Sequence, residues 1–96
     1  MAVFSIITAN PHSELADLIG STFANNFALS DRSWLITSDE TAQTIARKLG
    51  VAERDQNGLT HSKFGHIFVS QLSSNYWGFG STATWDWLKS AFEKNS

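Results

Sequence analysis

The chain has 96 residues, 42% of them apolar and 17% charged, with a single proline, a composition of globular domains rather than disordered ones. It has no cysteine, which excludes disulfides, thiolate zinc sites and a cysteine nucleophile. Net charge is −2 and the seven basic residues are scattered, so the stripe of a nucleic-acid binder is missing, and no run approaches the roughly 20 apolar residues that span a bilayer.

Residues 3–8 form an apolar run with Val3, Phe4, Ile6 and Ile7, and predict a first strand buried on both faces. The start lacks a basic region and reads as this strand rather than as a signal peptide. Asn10 followed by Pro11 predicts the start of a helix, with Asn10 as cap and Pro11 at the first helical position. Leu15, Leu18, Ile19 and Phe23 carry its apolar stripe to about Phe23.

Phe27 and Leu29, then Trp34 and Ile36, flank the polar group Ser30-Asp31-Arg32-Ser33, which predicts a β-hairpin. A second helix follows, with Ala42, Ile45, Ala46 and Leu49 at i, i+3, i+4 and i+7. Ser38 or Asp39 is expected to cap it, and Gly50 to end it in a left-handed conformation, with Val51 folding back on the last turn. Residues 52–65 read as a loop with a turn at Asn57-Gly58.

A fourth strand is expected from about His66 to Leu72 with Ile67, Phe68, Val69 and Leu72, then a glycine- and aromatic-containing turn to Gly80. The last helix, capped by Ser81, Thr82 or Thr84, carries Trp85, Leu88 and Phe92 on its stripe, and Trp87 falls off that stripe. The order β-α-β-β-α-β-α predicts one α+β domain over residues 1–96, a ferredoxin-like βαββαβ sandwich with an extra C-terminal helix. The expected core is Ile6, Leu18, Phe23, Trp34, Ile36, Ile45, Leu49, Phe68, Trp85 and Leu88.

Few motifs carry chemistry. Gly78-Phe79-Gly80-Ser81-Thr82-Ala83 matches G-x-G-x-x-A, but the loop from Leu72 is too long for a tight strand–helix turn, and no acidic ribose partner follows. His12, His61 and His66 lack metal-binding spacing, so surface or capping roles are expected. No G-x-S-x-G elbow is present. Tyr76, Trp77, Phe79 and Trp87 form an aromatic group that either packs on the core or an edge of the domain or anchors a partner, and they are the expected interaction residues.

Ser33-Trp34-Leu35-Ile36-Thr37, preceded by a helix and followed by a short capped helix, resembles small bacterial proteins of the SinR-like group, themselves similar to the small CRISPR-associated ribonuclease family with a ferredoxin-like fold. Together with Thr41-Ala42, Leu49-Gly50 and the closing Trp85-Asp86-Trp87-Leu88 it also looks like other short bacterial proteins. In the ribonuclease family an aspartate ending the first strand holds the catalytic metal. Here the corresponding residues, Ile7-Thr8-Ala9-Asn10, include no carboxylate. The expectation is therefore a non-enzymatic cytoplasmic interaction module without metal, cofactor or catalytic residues, pairing with itself as a homodimer or with another protein. The alternatives are a nucleic-acid-associated protein or degenerate metal-dependent nuclease, and a small-molecule binder or enzyme using residues 57–66 and the glycine turn.

Overall fold

The computed structural model describes residues 1–52, 61–73, 78 and 80–94. Strand β1 (Ala2–Thr8) leads to helix α1 (Ser13–Thr22), and β2 (Asn26–Ser30) and β3 (Ser33–Ser38) form the expected hairpin. Helix α2 (Ala42–Lys48) is followed by two short strands, β4 (Val51–Ala52) and β5 (His61–Ser62), then by β6 (Ile67–Leu72) and helix α3 (Thr82–Lys94). The architecture is α+β. Four strands form an antiparallel sheet in the order β2-β3-β1-β6, and β4 pairs with β5.

Register decides which side chains share a face. Phe4 stands opposite Ile36, and Ile6 lies between Trp34 and Val69. These residues face α1 and α2, whose Leu15, Ile19, Ile45 and Leu49 complete the larger core with Phe23 and Phe64. Ile6, Leu15, Ile19, Ile36, Ile45 and Leu49 are fully enclosed. The opposite face carries a smaller cluster, Val3 and Leu35 against Leu88 and Ala91 of α3, with Phe27, Leu72, Trp85, Trp87 and Phe92 partly buried around it.

Local chemistry fixes the helix ends. Thr41, rather than Ser38 or Asp39, caps α2, its hydroxyl accepting from the Thr44 amide at 3.2 Å. Ser38 stays in the sheet and accepts from the Glu40 amide at 3.0 Å, while Asp39 lies 3.3 Å from the terminal ammonium. Gly50 has φ +90°, the left-handed stop expected of it. Val51 enters β4, opposite Ser62.

Helix α1 begins later than Asn10-Pro11 implies. Its cap is His12, without a side-chain bond, because the chain must first leave the sheet, with the Ala9 amide on the His66 carbonyl at 3.2 Å. Ser81 precedes α3 and accepts from the Thr84 amide at 3.3 Å. The Asn57-Gly58 turn and most of the expected turn to Gly80 lie outside the described residues.

Two core expectations are corrected. Phe68 is 71% exposed and Ile7 51% exposed, although both sit in apolar strand runs. They are register partners on the α3 side of the sheet, beyond the part that α3 covers. Leu18 and Trp85 are partly buried, packed against the larger and the smaller cluster respectively.

Candidate functional site: the half-covered face of the sheet

On the α3 side the sheet presents three rows of side chains, ordered from β6 to β2. The first holds Leu72, Val3 and Thr37. The second holds Ser70, Ser5, Leu35 and Phe27. The third holds Phe68, Ile7, Ser33 and Ser30. Helix α3 lies over Val3, Leu35, Phe27 and Leu72. Phe68, Ile7, Ser5 and Ser70 remain as an open strip along β1 and β6.

Hydroxyl pairs tie this strip to its neighbours. The Ser5 and Ser70 hydroxyls lie 2.8 Å apart across β1 and β6, and the Ser30 and Ser33 hydroxyls 2.8 Å apart across the hairpin. Satisfying one another, they leave the surface neutral and less dependent on water. None of the side chains in the three rows is charged. Asp31 and Arg32 stand in the hairpin turn, 3.7 Å from each other. A Phe and an Ile side by side, framed by paired hydroxyls, suit contact with another apolar surface.

Trp87 does not stand apart from the α3 stripe. The buried centre of α3 is Leu88 with Ala91, which places Trp85 and Trp87 on its two flanks. The indole N–H of Trp87 donates to Asn25 Oδ1 at 3.1 Å, and its ring lies 6.1 Å from that of Phe27. Trp87 is thus engaged within the chain. Tyr76, Trp77 and Phe79 lie outside the described residues.

A groove opens at the start of α1, lined by Pro11, His12, Ser13, Glu14, Lys63 and Phe64. His12 meets the Phe64 ring edge-on at 5.6 Å between centroids, and Lys63 Nζ lies 5.4 Å from the centre of that ring. Both basic groups thus pack on a buried aromatic, and Glu14 in the first turn of α1 suits the helix dipole. Among the described residues no three His, Asp or Glu side chains gather as a metal site.

At the end of β1, Thr8 is buried, and its hydroxyl donates to the Asn10 carbonyl at 2.9 Å. The Arg32 carbonyl lies 3.4 Å from the same hydroxyl. Among the described residues, no helix is long and apolar enough to cross a membrane. No family model matches the chain, and no curated protein or solved structure matches it.

Proposed function

We propose that the protein is a non-enzymatic interaction module of the cytoplasm that pairs with a second copy of itself through the open strip of its sheet. The observation that carries this reading is Phe68 beside Ile7, 71% and 51% exposed, in register on an uncharged face. Single exposed apolar side chains are ordinary, whereas adjacent ones within an uncharged surface favour association. A two-fold contact between identical strips would bury both aromatics at once.

The strip alone is smaller than the roughly 800 Å² per partner of a stable interface. The proposal assigns part of the contact to Tyr76, Trp77 and Phe79, the aromatic residues that the sequence offers as partner anchors. The strand order supports a ferredoxin-like architecture, with β6 in the place of the fourth strand and β4–β5 as an insertion. Thr8, in the position where the resembling ribonucleases carry their aspartate, offers a neutral hydroxyl engaged with backbone, which supports the non-nuclease reading.

Sedimentation equilibrium over a concentration series tests the proposal. The native chain is expected to shift from monomer toward dimer, and Phe68→Ser to remain monomeric with an unchanged circular dichroism spectrum. A native chain that stays monomeric throughout, or a Phe68→Ser chain that dimerises equally well, overturns it.

A further inference from the structure

The two faces of the sheet are held very unequally. Among the described residues, the α1–α2 side encloses ten buried side chains drawn from two helices, two strands and three connecting segments. The α3 side encloses four, and only Leu88 and Ala91 of these come from α3. Trp85, Trp87 and Phe92 are only partly buried, so α3 rests on the sheet by a narrow line of contact. Its 13 residues are near the length at which an isolated helix is marginal in water, so α3 depends on that contact to persist.

What lies beneath α3 is apolar. Val3, Leu35, Phe27 and Leu72 lie there, and on β1 and β6 the paired Ser5 and Ser70 hydroxyls stand between them and Ile7 and Phe68. The indole of Trp87 latches the helix to Asn25, just before β2, through the 3.1 Å hydrogen bond.

We propose that α3 is a releasable cover, a helix that opens as its own unit while the sheet, α1 and α2 stay folded. Opening joins the strip of Ile7 and Phe68 to the apolar surface under α3, producing one continuous face across all four strands. Regions with few enclosed apolar side chains open at lower free energy than the core, and a helix that loses its docking surface unfolds with it. The proposal does not rest on self-association, because the opening occurs within one chain.

Native-state hydrogen exchange followed by mass spectrometry, at a concentration where sedimentation shows monomer, tests it. Peptides from α3 are expected to exchange at least about tenfold faster than those from β1 and β3, through an opening whose urea dependence is measurable but shallower than that of β1, because less surface is exposed. Trp87→Phe and Asn25→Ala, which remove the latch, should speed exchange in α3 by a further several-fold while β1 and α1 keep their protection. Equal protection of α3 and β1, rising and falling together with urea, would overturn the proposal. So would variants that speed exchange in β1 as much as in α3. Because the readout is the ratio of α3 to β1 within one sample, a general loss of stability does not imitate the expected result.

Discussion

Gly50 and Gly65 offer a matched pair of backbone perturbations. Both have positive φ, +90° and +74°, where a side chain is strained. They differ in their surroundings. A Cβ on Gly50 would lie 2.8 Å from Lys63 Cβ, whereas a Cβ on Gly65 would meet nothing within 4 Å. The Lys63 atom cannot swing away, because the Lys63 amide donates to the Gly50 carbonyl at 3.1 Å and holds that backbone against the end of α2. Gly65→Ala should thus cost about 1 kcal/mol, left-handed strain of roughly 1–2 kcal/mol less the smaller entropy of the unfolded chain. Gly50→Ala adds overpacking of about 1–3 kcal/mol. In urea, where slopes of about 1 kcal/mol/M are usual at the small end, the midpoint of Gly50→Ala should fall at least about 1 M below that of Gly65→Ala. Gly50→Val should fall further. Equal midpoints for the two alanine variants would refute the contact with Lys63, and a neutral Gly50→Val would refute the helix stop itself.

Ile45→Ala or Leu49→Ala, each removing a fully buried side chain from the larger core, should lower stability by about 2–5 kcal/mol in chemical denaturation. Thr41→Ala, which deletes the hydroxyl bound to the Thr44 amide, should cost about 1 kcal/mol. Phe68→Ser should change monomer stability by no more than about 0.5 kcal/mol, because the ring makes little enclosed contact. Incubation of the pure protein with RNA or DNA and magnesium or manganese should yield no hydrolysis, and cleavage abolished by one acidic-residue substitution would contradict the non-enzymatic reading.

Local signals made much of the fold legible. The hairpin follows from two apolar pairs around a polar turn, and α2 from a four-residue stripe ended by a glycine whose φ is positive. The β4–β5 pair was not legible, since two residues on each side give no alternation to read. Ile7 and Phe68 were misread for a different reason. Adjacent apolar residues imply burial on both faces only if both faces are covered, and coverage is set by where α3 lands. Ala91 explains the misplacement of Trp87. Its small side chain adds little to a sequence stripe, yet it lies at the centre of the α3 contact and draws Trp87 toward Asn25 and Phe27. The neutral strip was equally hidden, because register alone brings Ser5 to Ser70 and Ile7 to Phe68.

The association surface is tested most directly by a concentration series of amide nitrogen–proton spectra on the native chain. Self-pairing through the sheet predicts concentration-dependent shifts at Ser5, Ile7, Ser33, Phe68 and Ser70, with α1 and α2 unmoved and the shifts absent in Phe68→Ser. Spectra that do not change with concentration, or shifts confined to α1 and α2, would contradict it.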